Sequence, residues 1–375
     1  MTSDEEAARR WRLILGGEEA DGVGYSLNAA DIRMDKALQA LYDSDRKGGL
    51  GSSAPNVSRW LGDIREYFPA SVVQVLQRDA IDRLDMTRLL MEPEILQSLQ
   101  PDVHLVADLI AMSGAIPAKT RDTARAVIRK VVDELMKKLS EPTRAAVAGA
   151  LNRSARNRRP RHNDIDWRRT IQANLKHYQP EFRTVVPEVR IGYGRRRQSM
   201  RHIILCIDQS GSMATSVVYS AIFGAVLATL PAVSTSLVVF DTSIVDLTAE
   251  LDDPIDLLFS VQLGGGTDIN GAVGYCQTLV RAPQDTVFVL ISDLFEGGVE
   301  AEFMKRAASM VASGVQFVTL LALSNDGAPS YNADLAAQLA TLGVPAFACT
   351  PDKFPELMAA AIERRDLREF VELRK

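Results

Sequence analysis

The apolar pattern of this chain changes after Met200, and the change restricts the folds open to the C-terminal part. Short apolar runs rich in Val, Ile, Leu and Phe there alternate with stretches of helical periodicity. The runs predict buried strands at 202–207, 237–240, 286–291, 315–323 and 346–349. The stretches between and after them predict helices at 216–230, 269–281, 300–313, 331–342 and 354–365. Such alternation predicts an α/β fold, with a mostly parallel sheet flanked by helices on both faces.

The preceding part, residues 1–151, has a helical pattern and predicts an all-helical N-terminal domain. Its most regular helix begins near Thr120, with apolar residues at three- and four-residue steps. Shorter helices are predicted at 34–42, 57–67, 71–83 and 103–112, with loops at 16–17, 48–55 and 116–117. We expect Trp11 and Trp60 to lie in the core of this domain.

Composition indicates a folded, unexported protein. A chain of 375 residues exceeds the usual size of one hydrophobic core, and its 46% hydrophobic and 24% charged residues argue against global disorder. Residues 1–12 do not resemble a signal peptide, and we find no stretch of about 18 apolar residues. The three cysteines, Cys206, Cys276 and Cys349, are widely separated within apolar patterns, which predicts reduced core thiols. We therefore expect a cytoplasmic protein.

Residues 152–200 form a predicted basic linker. Fourteen Arg and Lys residues stand against four Asp and Glu between 153 and 201, although the net charge of the chain is only −5. Such a segment is typical either of a solvated connector or of a surface for an acidic partner. Trp167, Ile171, Leu175 and Tyr178 have helical spacing, so part of the linker is expected to dock on a neighbour or simply to pack.

Polar residues follow the predicted strands where a parallel sheet binds its ligands, at the carboxyl ends of the strands. Asp208, Ser210 and Ser212 alternate on a turn directly after the first strand. Thr267 lies in a loop of three glycines, and Asp293 follows the strand predicted at 286–291. Two carboxylates and three hydroxyls, with no His or Cys, suit a hard cation such as Mg²⁺ or Mn²⁺.

These three motifs together resemble the metal-ion-dependent adhesion site (MIDAS) of von Willebrand factor A (VWA) domains, whose fold is Rossmann-like. The resemblance extends over about 201–365 and predicts a VWA domain at 201–375 that holds a metal through all five family positions. These are Asp208, Ser210, Ser212, Thr267 and Asp293.

A narrower resemblance is to the CoxE-like group of bacterial VWA proteins. It is carried by the sequences 167–170 (WRRT), 195–197 (RRR) and 204–213 (ILCIDQSGSM). The resemblance implies a partner, a MoxR-type AAA+ ATPase, since members of this group are typically encoded beside such ATPases. Gln209 stands where related sequences often have an apolar residue, a difference that touches no predicted ligand.

The expected function is a non-enzymatic adaptor whose metal binds a Glu or Asp of a partner protein. No nucleophile is paired with a base, and the four histidines belong to no recognisable triad. No phosphate-binding motif accompanies the glycine run at 264–266, so an NTPase is not expected. The alternative is a protein that associates with RNA through the basic segment, since Ro-type RNA-binding proteins also join a VWA domain to a helical array.

Overall fold

A computed structural model of the chain describes residues 3–15, 26–42, 54–83, 90–91, 93–154, 156–157, 162, 165–193, 200–261, 264–325, 330–367 and 370. These residues fall into two compact units, Met1–Val131 and Val132–Lys375. The loop predicted at 16–17, residues 48–53 of the loop predicted at 48–55, and the arginines at 195–197 lie outside the described residues. Ala54 and Pro55 begin a helix, so the predicted loop was wrong at these two residues.

The first unit is helical, as its periodicity predicts. Its helices are α1 (Ser3–Leu15), α2 (Ala29–Tyr42), α3 (Ala54–Tyr67), α4 (Ala70–Arg83), α5 (Pro93–Ser98) and α6 (Val103–Ala111), followed by the 37-residue α7 (Ala118–Ser154). The division between the units falls inside α7. The predicted domain boundary at residue 151 stays a prediction.

The two tryptophans of this unit differ from each other. Trp60 is buried and donates a hydrogen bond to the carbonyl oxygen of Ala37, as expected for a core residue. The expectation for Trp11 was wrong, because its side chain is 57% exposed. The neighbouring Arg12 is buried instead, 3.5 Å from Asp35. Adjacent helical residues point about 100° apart, so burial of Arg12 turns Trp11 outward.

The second unit contains a sheet of six strands among the described residues. These strands are β5 (Arg201–Asp208), β6 (Val233–Phe240), β7 (Ile244–Asp246), β8 (Thr286–Ile291), β9 (Gln316–Leu323) and β10 (Ala346–Cys349). Their order is β10-β9-β8-β5-β6-β7, and every pairing is parallel except β6 with β7. The prediction of a mostly parallel sheet is confirmed.

Helices cover both faces of this sheet. They are α9 (Ala214–Ala228), α10 (Pro254–Ser260), α11 (Ile269–Leu279), α12 (Glu300–Ser313), α13 (Ala333–Thr341) and α14 (Phe354–Glu363). Successive strand residues point to opposite faces. Accordingly, Ile204 packs in one buried cluster with residues of α11 to α13. Leu205, on the opposite face, lies against Gly224 of α9.

Helix α9 is apolar around its whole circumference because it is a core helix. The expectation that no stretch of about 18 residues is sufficiently apolar was wrong, because Gly211–Ala228 is long and apolar enough to cross a membrane by length and composition; 72% of it is buried in the structure. On the same side of the sheet, the rings of Phe223 and Phe354 lie 4.2 Å apart between centroids. The cysteines Cys206, Cys276 and Cys349 are buried free thiols, as predicted.

The basic segment contains short elements. They are β1 (Arg156–Asn157), α8 (Trp167–Ala173), β2 (Tyr178–Gln179), β3 (Thr184–Val185) and β4 (Gly192–Tyr193). β1 pairs with β4 and β2 with β3, both antiparallel. The described residues of the predicted linker therefore form a short helix and two pairs of short strands.

Candidate metal centre

The predicted metal ligands lie at the carboxyl ends of the central strands of the sheet. β5 occupies the centre, with β6 on one side and β8 on the other. Ile207 of β5 pairs with Ile291 of β8, so Asp208, the last residue of β5, and Ser292, the first residue after β8, lie side by side at the strand ends. Open α/β sheets bind ligands at such a switch point, beyond the carboxyl ends of the strands.

Asp208 is fixed by hydrogen bonds on both carboxylate oxygens. The backbone N–H of Ser210 donates to Oδ1 at 2.9 Å, and the hydroxyl of Ser292 donates to Oδ2 at 2.8 Å. The Asp208 side chain is fully buried, with 0% of the residue exposed. These bonds give the carboxylate one orientation toward the loop that follows β5.

The two serines of this loop connect it to Asp293. The hydroxyl of Ser212 donates to Asp293 Oδ2 at 2.6 Å, and the hydroxyl oxygens of Ser210 and Ser212 lie 3.2 Å apart. Four of the five predicted ligands therefore belong to one hydrogen-bonded network. Ser212 is exposed whereas Asp293 is buried, so the network reaches from the interior to the surface.

The loop that contains Thr267 is held at the same strand ends by backbone hydrogen bonds. Gly297 N–H donates to the carbonyl oxygen of Thr267 at 2.8 Å, and Gly264 N–H donates to that of Gln209 at 3.0 Å. Among the described residues, no hydrogen bond joins the Thr267 hydroxyl to the other four side chains. A larger residue at position 297 would clash with this loop, because a Cβ on Gly297 would lie 2.6 Å from the carbonyl oxygen of Thr267.

Ser292 is a site residue that the sequence analysis did not identify. Its buried hydroxyl donates to Asp208 and accepts the backbone N–H of Leu294 at 3.0 Å. Leu294 has a left-handed backbone with φ 64°, which is unfavourable for a leucine. This turn directs Asp293 toward Ser212. A serine between a strand and an aspartate was the available signal in the sequence.

The buried carboxylates repel one another. Burial of Asp208, with a smaller contribution from the charge of Asp293, raises its pKa above the ordinary value, while hydrogen bonds from Ser210 and Ser292 act in the opposite direction. A cation between these carboxylates would favour their ionised forms. The electrostatics of the site therefore suit a positively charged ligand.

The donor set also decides which ion fits. Within the described part of the chain, no group of three or more His, Cys, Asp or Glu side chains is placed to hold a metal. A zinc site built from soft ligands has no candidate there. Two carboxylates and three neutral hydroxyls fit Mg²⁺ or Mn²⁺, which accept oxygen ligands and water. The residues present are thus compatible with the expected metal.

Comparison with known proteins identifies the family. Residues 139–358 match the family described as VWA domain containing CoxE-like protein, and the chain belongs to it. The match begins within α7, so it includes the basic segment as well as the sheet. The chain is also 34% identical over 365 residues to "Uncharacterized protein YehP" of Escherichia coli (strain K12), covering 95% of this chain and 96% of the relative.

Two solved structures have lower similarity. An aerotolerance-related membrane protein from Bacteroides fragilis NCTC 9343 matches at 16% identity and a TM-score of 0.36, covering 44% of this chain and 99% of that one. BatB from Bacteroides thetaiotaomicron matches at 14% identity and a TM-score of 0.33, covering 44% and 98%. Similarity at this level carries no argument about function.

Proposed function

We propose that this VWA protein is a non-enzymatic, metal-dependent adaptor that binds a partner protein through a Glu or Asp. The observation that carries the proposal is the network joining Asp208, Ser210, Ser212 and Asp293 at the strand ends. Mg²⁺ or Mn²⁺ bound there would attract an external carboxylate, because three of the proposed ligands are neutral hydroxyls.

Each residue has a separate role in this proposal. Asp208 and Asp293 supply negative charge, and their hydrogen bonds hold them in place before any ion arrives. Ser210, Ser212 and Thr267 supply hydroxyl oxygens on the solvent side. The partner's carboxylate would complete the set of ligands, so binding would depend on both the ion and the acidic residue.

We further propose that the protein acts in the cytoplasm with a MoxR-type AAA+ ATPase, in chaperone-like remodelling or complex maturation. The support for this step is membership of the CoxE-like family, together with the partner that the resemblance to this group implies. The metal contact alone is small, and stable interfaces generally bury more than about 1,000 Å². Additional surface must therefore contribute to the complex.

Two measurements test the adaptor proposal. Calorimetry should show that Asp208→Ala lowers Mg²⁺ affinity by more than about 100-fold, because even indirect supporting groups are worth about 10–100-fold. Binding to a candidate MoxR-type AAA+ ATPase should require Mg²⁺, and should weaken in EDTA and in Thr267→Ala.

The control is Thr341→Ala, which removes an exposed threonine hydroxyl at the end of α13. It should bind as the wild type does. Binding that survives both EDTA and Thr267→Ala would exclude the metal as the recognition element. Unchanged Mg²⁺ affinity in Asp208→Ala would show that the ligands are assigned incorrectly.

A further inference from the structure

The part of the basic segment at 165–191, here called the basic module, is held together by two buried polar side chains. Thr170 and Asn174 are each 1% exposed. Asn174 Oδ1 accepts the N–H groups of Glu188 and Val189 at 3.0 and 3.2 Å, and Thr170 Oγ1 accepts that of Ile191 at 3.0 Å. Residues 188–191 are thereby fixed against α8, so the outer surface of the module is preformed.

That outer surface carries a row of large apolar side chains. Trp167, Ile171, Leu175 and Tyr178, here called the apolar stripe, are 46%, 46%, 58% and 50% exposed. Trp167 and Ile171 lie one turn apart on α8, and Leu175 and Tyr178 follow in the turn after α8 and at the start of β2. Folded surfaces rarely leave such a row uncovered unless it binds something.

Positive charge accompanies the apolar stripe. Arg168, Lys176, Arg183 and Arg190 are exposed, and no ion pair engages them within the described residues. Two of the three acidic residues of the module lie beside basic side chains. Asp166 lies 3.8 Å from Arg169, and Glu188 lies 3.1 Å from His177. The third, Glu181, is exposed. Five Arg and Lys side chains therefore stand against three carboxylates, and the module keeps a net positive charge.

We propose that the basic module is a docking surface for an acidic amphipathic helix of a partner protein. Such a helix would place apolar residues at three- and four-residue steps on the stripe and its carboxylates beside the cations. The centre of the stripe is aliphatic, at Ile171 and Leu175, which fits the apolar side chains of a helix. The aromatic planes that base stacking uses lie away from this centre, at Trp167, Tyr178 and Phe182. The observations therefore favour a protein. This surface is separate from the metal ligands and goes beyond the proposed function.

The test uses the full chain in EDTA, so that the candidate metal site contributes nothing. The probe is a fluorescent 20-residue synthetic helix with leucines at three- and four-residue steps and glutamates on its flanks. A second peptide has every glutamate replaced by lysine, and oligouridylate is the nucleic-acid probe. Anisotropy should show the acidic peptide binding at least about tenfold tighter than the basic one, a difference of about 1.4 kcal/mol.

Variants locate the binding on the stripe. Ile171→Glu combined with Leu175→Glu should weaken the acidic peptide at least about tenfold, because both introduced charges would face its apolar residues and carboxylates. The matched control is Val72→Glu combined with Val75→Glu, two exposed valines of α4 that are 38% and 58% exposed. It should bind as the wild type does.

Four results would overturn the proposal. They are equal binding of the two peptides, unchanged binding in the double variant, tighter binding of oligouridylate that the double variant abolishes, and a self-associated form in sedimentation that the double variant dissociates. The last would make a second copy of this chain the occupant.

Discussion

The metal-site loops and the basic module are built alike but present opposite surfaces. In each, a buried polar side chain holds the backbone of a nearby segment, Ser292 at the metal site and Asn174 in the module. At the metal site the remaining polar groups converge on one point. In the module Thr170 and Asn174 turn inward, and apolar and basic side chains face solvent. Residue type therefore reveals the first surface, whereas only the fold reveals the second.

The largest expected effect comes from removing the support of the module. Asn174→Ala eliminates four hydrogen bonds, two accepted by Oδ1 and two donated by Nδ2 to Thr170 O and Val189 O. At about 1 kcal/mol net for each bond, the module should lose roughly 4 kcal/mol of local stability. Hydrogen exchange of the amides of residues 188–191 should accelerate by about 1,000-fold.

The control for this change is Gln172→Ala, which removes an exposed side chain from the same helix and should leave exchange unaltered. Exchange in β5 and β8 should also stay the same in Asn174→Ala. If residues 188–191 exchange at the wild-type rate in Asn174→Ala, the module is not ordered by this side chain. The module would then differ from the metal site in not depending on a buried polar side chain.

A smaller effect is expected from the corresponding change at the metal site. Ser292→Ala removes the donor to Asp208 and the acceptor for the Leu294 N–H, but no proposed ligand. Supporting groups of this kind are typically worth about 10–100-fold in metal affinity. Calorimetry should show a loss in that range for Mg²⁺, with the far-UV circular dichroism of the fold retained.

Ser260→Ala is the matched control, because it removes an exposed serine hydroxyl that bonds only within its own helix. Its Mg²⁺ affinity should equal that of the wild type. Ser292→Thr keeps a hydroxyl and should recover part of the affinity. An Mg²⁺ affinity of Ser292→Ala equal to the wild type would mean that Asp208 needs no such positioning.

Much of the α/β unit is predictable because long buried strands give continuous apolar runs. β8 and β10 have the predicted bounds, and α12 does too. β6 begins at Val233, four residues before its predicted start. The prediction missed these residues because Ser234, Thr235 and Ser236 interrupt the apolar run. β7 was not predicted. It is an edge strand of only three residues, Ile244–Asp246, which is too short to show a strand periodicity in the sequence.

The candidate site is predictable only where ligands recur at fixed spacing. Asp208, Ser210 and Ser212 alternate on one turn, and the structure joins them to Asp293. The function of Ser292 depends instead on the register between β5 and β8, which no local pattern contains. The same holds for the exposure of the apolar stripe. The spacing of these residues is visible in the sequence, but their exposure depends on how residues 188–191 pack against α8.

The smallest expected effect concerns His202, at the end of β5 that is far from the metal site. It distinguishes a pH dependence of stability that arises from this histidine from one that arises from the carboxylates of the metal site. Burial of His202, and to a lesser degree the charge of Arg281, lowers its pKa below the ordinary value of 6.5. The unfolded chain then binds more protons than the folded chain over the interval between the two pKa values. The free energy of unfolding must therefore rise with pH in this interval. The contribution of His202 is present above pH 6.5 and is lost as the pH falls through the folded-state pKa.

The variant His202→Gln removes this titration while keeping a side chain able to bond the Ser236 hydroxyl, which lies 3.0 Å from His202 Nε2. Urea unfolding in EDTA at several pH values from about 5 to 8 should give a shallower dependence on pH for this variant than for the wild type. Equal slopes for the wild type and His202→Gln would mean that His202 does not couple proton binding to folding. Acid sensitivity of the α/β unit would then have to arise from its carboxylates, including those of the metal site.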